Sequence, residues 1–170
     1  SIRVLAFNVA AASEFRDRLA RVLPAGLVAP KVQTFNSIGH ALVGLFEKQG
    51  MLPGLQLETS DGLRRRLGRE AVKEALVESD RDDAPGQDEL EAFVSFVDLV
   101  KSDIAGPGEV FARSALDRRL EYFVRACALF ERARLKAGVR FYADQVAEPV
   151  ALMRANHTAL AMVTDKLDYV

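Results

Sequence analysis

The first fifty residues combine short apolar runs with helical patterns. Residues 2–8 predict a buried strand, and residues 31–35 predict a second short strand. Residues 11–23 and 37–49 predict helices, because apolar side chains recur there at helical spacing. Each predicted strand leads through a short polar turn into its helix. Alternation of strands and helices is typical of parallel pairing, so this part of the chain predicts a small α/β unit.

Beyond Gly50 the pattern predicts helices alone. Three apolar stripes have helical spacing: Leu63, Leu67, Ala71 and Ala75; Leu90, Phe93, Val97, Val100 and Ile104; and Leu116, Leu120, Phe123, Cys127 and Phe130. Residues 142–155 and 158–166 predict two further helices, the first bent or interrupted near Pro149. Residues 167–170 predict the start of a strand. The chain is therefore predicted to divide into residues 1–49, a mainly helical region over residues 50–155, and residues 156–170.

Composition indicates an ordinary globular protein. The 170 residues are 49% hydrophobic and 28% charged. No apolar run approaches the roughly 20 residues that cross a bilayer, so we expect no contact with a membrane. The first residues lack the pattern of a secretory leader, and Cys127 is the single cysteine. These features predict a cytoplasmic protein.

Charge is unevenly distributed along the chain. The net charge is −1, but residues 1–77 carry 11 Lys or Arg against 7 Asp or Glu, whereas residues 78–104 carry 2 against 9. A net charge near zero argues against a dedicated nucleic-acid binder. The basic excess near the start nevertheless leaves room for a local surface that binds nucleic acid.

Four segments resemble blocks of one known family, the last of them only weakly. Leu5-Ala6-Phe7-Asn8 and the following residues 10–19 are similar to one block of the UvrD/Rep family of superfamily 1 DNA helicases. In that family the block is a strand followed by Thr-Phe-Thr-Asn and Lys-Ala-Ala. Thr34-Phe35-Asn36-Ser37-Ile38-Gly39 resembles the Thr-Phe-His-Ser-Leu-Gly block of that family. Residues 130–144 are similar to a helix of that family that ends in the sequence Gly-x-x-Asp-Phe-x-Asp. Residues 63–67 weakly resemble the start of the helical insertion of the family.

The resemblance implies a fold and an activity for the parent protein. It implies an α/β class, with part of a P-loop motor domain that has two or three parallel strands, plus a mainly helical insertion domain. The chain would lie between the Walker A and Walker B motifs, because neither motif is present in it. The parent would be an ATP-dependent DNA helicase that uses ATP and Mg²⁺. The 170 residues alone would hold no catalytic residue or cofactor and would not hydrolyse ATP.

The resemblance also assigns single-stranded DNA contacts to the two strand-to-helix turns. The assigned residues are Phe7, Asn8, Thr34, Phe35, Asn36 and Ser37. The residues alone favour another interpretation, in which Phe7 is a core aromatic and Asn8 and Ser37 cap helices or form turns. Capping and phosphate contact are compatible, because a capped helix still presents free N–H groups.

Arg65, Arg69 and Lys73 recur at every fourth residue and predict a basic stripe on one helix. A solvated helix face is the favoured interpretation, and contact with duplex DNA is the alternative. The two histidines and Cys127 lie far apart and lack metal-ligand spacing. The chain also lacks a nucleophile elbow, so its motifs predict neither a metal site nor a catalytic centre.

Other functions stay open at this point. The chain could be a non-catalytic helical module that docks a protein partner, or a segment of a helicase-nuclease or of an inactive helicase homologue. If it is a segment cut from a larger sheet, its strand edges would lack their neighbours. We therefore expect self-association through exposed sheet edges.

Overall fold

The computed structural model describes residues 3–81 and 84–165, and helices dominate this part of the chain. Helices contain 66% of the described residues, whereas strands contain 7%. The chain divides into two units. One comprises Ser1–Pro53 with Glu148–Val170, and the other comprises Gly54–Ala147.

The first unit contains a small parallel sheet. Strand β1, Arg3–Ala6, pairs in parallel with strand β2, Lys31–Thr34. Helix α1, Val9–Val22, connects the two strands, and helix α2, Phe35–Lys48, follows β2. The predicted order of strands and helices over this region and the predicted parallel pairing are confirmed.

The second unit is built mainly from four helices. Its elements are strand β3 (Gln56–Leu57), helices α3 (Asp61–Glu78), α4 (Gln87–Ser102) and α5 (Pro107–Arg113), a 3-10 turn (Arg118–Leu120), helix α6 (Phe123–Lys136) and strand β4 (Val139–Arg140). Strands β3 and β4 pair in parallel through two residues each. This second strand pair was not predicted.

Helix α6 is central to the core of the second unit, where it packs against α3, α4 and α5. Phe93 of α4 meets Phe123 and Phe130 of α6 edge to face, with ring centroids 5.3 and 6.2 Å apart. Leu76 of α3 is also fully buried in this cluster. Most residues of the apolar stripes predicted for these helices therefore lie in the core or pack against it, and their burial stabilises the unit. The exception is Ile104, which lies beyond the end of α4 and is 67% exposed.

Two further helices end the described part of the chain: α7, Asp144–Ala155, and α8, His157–Thr164. Pro149 lies inside α7, so the helix is not interrupted there. None of the helices within residues 3–81 and 84–165 has the length and apolarity needed to cross a membrane. The strand predicted over residues 167–170 lies outside the described residues.

The predicted α/β class, with part of a P-loop motor domain, is wrong. Among the described residues there are eight α-helices and two strand pairs, one of four residues per strand and one of two. The physical reason is the change of pattern after Gly50. From there on the apolar residues recur at helical spacing, so they are buried by packing helix against helix.

Candidate nucleic-acid interface

The carboxyl ends of β1 and β2 lie level at one edge of the small sheet, where Ala6 is opposite Thr34. Because the strands are parallel and each is followed closely by a helix, α1 and α2 both begin at this edge. Each helix N-terminus carries unpaired N–H groups and a partial positive charge. The structure thus brings together all six residues predicted for the two turns.

Phe7 and Phe35 form an exposed aromatic pair at this edge. Their ring centroids are 6.4 Å apart and their planes are inclined by 72°, an edge-to-face arrangement. Phe7 is 90% exposed and Phe35 is 45% exposed. The interpretation of Phe7 as a core aromatic is therefore wrong. Exposed rings of this kind offer π-faces on which nucleic-acid bases can stack.

Asn8 caps helix α1. Its Oδ1 accepts a hydrogen bond from the Ala11 N–H at 2.8 Å, which confirms the predicted capping role. The Asn8 carbonyl accepts from the Ala12 N–H at 3.1 Å. The N–H groups of Val9 and Ala10 precede the first hydrogen-bonded N–H group of α1, so they have no partner within the helix. They are the donors that this helix end can offer to an anion.

Thr34 and Ser37 form a reciprocal capping box at the start of α2. Thr34 Oγ1 accepts from the Ser37 N–H at 3.2 Å, and Ser37 Oγ accepts from the Thr34 N–H at 3.1 Å. The Ser37 hydroxyl also donates to the Thr34 carbonyl at 3.0 Å. These hydrogen bonds fix the backbone conformation at the N-terminus of α2. A ligand at this edge would therefore meet the exposed Asn36, the two rings and backbone N–H groups.

Arg65, Arg69 and Lys73 lie exposed on α3, in the second unit. None of the three side chains forms an ion pair within residues 3–81 and 84–165. Arg65 and Arg69 line a groove beside α4. Contact of this stripe with duplex DNA stays a prediction.

Sequence reasoning missed a buried ionic cluster in the second unit. Lys101 Nζ lies 2.7 Å from Glu131 Oε1 and 2.9 Å from Asp144 Oδ1. Arg134 Nη2 lies 2.8 Å from Glu131 Oε2, and the Arg134 and Asp144 side chains are each only 2% exposed. Lys101, Glu131 and Arg134 each resemble an ordinary surface charge, and Asp144 stands out in the sequence only as the last residue of the segment that resembles the helicase block. The sequence therefore did not predict that the four lie together.

The ionic cluster fixes the chain where α6 turns into β4 and α7. Arg134 Nη1 donates to the Val139 carbonyl at 3.0 Å, and Asp144 Oδ2 accepts from the Phe141 N–H at 2.8 Å. Gly138 makes the turn possible because its φ of +70° lies in the left-handed region that other residues avoid. The cluster thus has a structural role in holding this corner together.

Cys127 lies beside the ionic cluster and is buried. Burial raises the pKa of its thiol to about 12, and the nearby Glu131 carboxylate adds to the rise, whereas Lys101 opposes it. The thiol therefore stays protonated at neutral pH and is a poor nucleophile. Within the part of the chain that the structure describes, no three or more His, Cys, Asp and Glu side chains are grouped so as to hold a metal ion.

Comparison with known proteins identifies no family for this chain. Protein-family models give no match, and curated proteins give none either. The likeness to UvrD/Rep helicases therefore rests on the residues of the two turns and of the segment that ends at Asp144.

Proposed function

We propose that this chain contributes single-stranded DNA contacts to an ATP-dependent DNA helicase of the UvrD/Rep kind. The contacts are made at the edge where β1 and β2 end. The exposed pair of Phe7 and Phe35 is the observation that carries the proposal. Stacking of one base on an aromatic side chain is worth about 1–3 kcal/mol and tolerates any base, because every base has a π-face.

The electrostatics of this edge support a polyanionic ligand. Neither α1 nor α2 has an acidic residue in its first turn, where acidic residues are usually favourable. The partial positive charges of both helix ends are therefore left for a phosphate group. The rings hold bases, while the N–H groups of Val9, Ala10 and Asn36 meet the backbone of the strand.

The helicase parent would supply the rest of the machinery. ATP and Mg²⁺ would bind to parts of the parent other than this chain, and the chain by itself would not hydrolyse ATP. A cytoplasmic location belongs to the same proposal, because a free thiol such as that of Cys127 fits a reducing compartment.

Fluorescence anisotropy with a labelled oligo(dT) strand tests the proposal. The full chain should bind the strand at low salt and bind more weakly at higher salt, because phosphate contacts release counterions. Phe7→Ala should raise the Kd about tenfold, the equivalent of about 1.4 kcal/mol of lost stacking. Phe15→Ala is the matched control, because Phe15 is a 41% exposed aromatic on α1 outside the ring pair.

Two results would contradict the proposal. If the chain does not bind oligo(dT) at low salt, the turns do not form a DNA site, and the helical protein-interaction module becomes the better hypothesis. If Phe15→Ala weakens binding as much as Phe7→Ala does, the loss is not due to stacking at the ring pair.

A further inference from the structure

A groove of about 290 Å³ lies between α3 and α4 of the second unit. Its lining includes Gly68 and the half-buried Leu90 and Val94. Gly68 lies where the two helices approach each other, since a Cβ added there would be 3.7 Å from Val94 Cγ2. The groove therefore has an apolar side, and its volume is near the lower limit for a ligand pocket, enough for a large side chain but not for a whole helix.

Two unpaired cations face the same groove. Arg65 and Arg69 are one helical turn apart on α3, and neither has an ion-pair partner within the described ranges. The neighbouring Arg64 differs, because its Nη2 lies 2.5 Å from Asp98 Oδ1 of α4. Arg125 and Arg132 likewise pair with carboxylates of α3. The two groove arginines are thus free to bind a carboxylate or phosphate from outside.

The apolar side of the groove favours one kind of anion over another. The Glu91 carboxylate accepts from Gln87 Nε2 at 2.8 Å and forms no ion pair with either groove arginine within the described ranges. A nucleic-acid backbone carries phosphates without apolar side chains, so it would gain nothing from Leu90 and Val94. A ligand with separate carboxylates and an apolar side chain complements both sides.

We propose that this groove binds a short acidic peptide segment of a partner protein. An apolar side chain of the peptide lies against Leu90 and Val94, and flanking carboxylates accept hydrogen bonds from Arg65 and Arg69. This site shares no residue with the proposed DNA site at the sheet edge of the first unit. Either proposal can therefore be contradicted without affecting the other.

The test uses the full chain and three labelled peptides in fluorescence anisotropy. One peptide alternates Glu and Leu, the second has Gln in place of every Glu, and the third has Ala in place of every Leu. The Glu and Leu peptide should bind at least tenfold more tightly than either of the others. The double variant Arg65→Glu with Arg69→Glu should weaken its binding at least tenfold. Arg66→Glu, at an exposed position of α3 that does not line the groove, should leave it unchanged.

Several results would overturn the proposal. Equal binding of the Glu and Gln peptides would show that the arginines do not recognise carboxylates, and an equal effect of Arg66→Glu would show only nonspecific attraction. Binding of oligo(dT) or duplex DNA that is lost in the double variant would assign the groove to nucleic acid. Circular dichroism checks that the double variant folds. If the variant does not fold, the comparison of the three peptides on the unaltered chain still tests the proposal.

Discussion

Arg134 and Asp144 form an ion pair in which each side chain is only 2% exposed, with Nε 3.4 Å from Oδ2. Lys101 and Glu131 complete the ionic cluster, so each of its four charges has a partner of opposite sign. Taking charges out of water is costly, and the cost is offset only while the partners remain in place. The cluster therefore makes the corner after α6 sensitive to the loss of any one member.

Asp144→Ala should lower the free energy of unfolding by about 3 kcal/mol, because it leaves the buried Arg134 and Lys101 short of a carboxylate. It also removes the acceptor of the Phe141 N–H. Urea denaturation followed by circular dichroism measures the change. Glu74→Ala is the control, since its pair with Arg132 is exposed and should matter little. Equal effects of the two substitutions would show that the cluster adds nothing beyond a surface pair.

Cys127 should make the protein less stable in alkali. The pKa of its thiol is raised to about 12 in the folded chain, against an ordinary value of 9.0 that applies when it is unfolded. The folded state therefore binds the proton more tightly. The stabilisation of the folded state by the protonated Cys127 thiol is complete below pH 9 and is lost as the pH rises toward 12.

Cys127→Ala isolates this effect from the titration of other groups. The difference in unfolding free energy between the unaltered chain and this variant should shrink or reverse between pH 9 and 12. A difference that stays constant over that range would contradict the raised pKa. Slow reaction of the native thiol with Ellman's reagent at pH 8, and fast reaction in denaturant, would support it.

Asn8 offers a way to separate capping from DNA contact. Asn8→Ala should cost about 1 kcal/mol by removing the acceptor of the Ala11 N–H, whereas Asn8→Asp keeps an acceptor there. Asn8→Asp also adds a negative charge at the proposed DNA edge. It should therefore preserve hydrogen-exchange protection of α1 and still weaken oligo(dT) binding. Unchanged binding by this variant would place the strand away from Asn8.

The small sheet should promote self-association. Among the described residues, β1 and β2 pair only with each other, so each strand keeps one edge without a strand neighbour. Sedimentation velocity should show an average mass that rises with protein concentration. Leu5→Lys places a charge on β1 at a position that is 44% exposed, and it should reduce association. A monomer at all concentrations would contradict this expectation.

The strand and helix order of the first unit could be predicted because its signals are local. Asn8 was predicted as a cap from its residue type and caps α1. At the second turn Ser37 was predicted, whereas the N-cap is Thr34 and Ser37 completes its capping box. The fold class could not be extrapolated from these residues. It is decided by the longer region after Gly50, where Phe93 and Phe123 build a helical core.

The short strands and the exposure of Phe7 could not be predicted from the sequence, for physical reasons. Gln56–Leu57 and Val139–Arg140 are too short for alternation to be visible, and they pair only because the fold brings them together. Leu116 and Leu120 continue the apolar stripe of α6 but lie before that helix, around a 3-10 turn. The exposure of Phe7 depends on where the chain leaves the sheet, which periodicity alone does not determine.

The pairing of Gln56 with Val139 brings an early and a late segment of the second unit side by side. The chain therefore enters this unit beside a segment that lies shortly before its exit, and the first unit continues on both sides of it in sequence. Units with adjacent termini can be inserted into a host loop, or replaced by a short linker, with little change in the path of the flanking chain. The second unit thus has the architecture of an interchangeable cassette, which evolution or protein engineering could add, remove or replace as a whole.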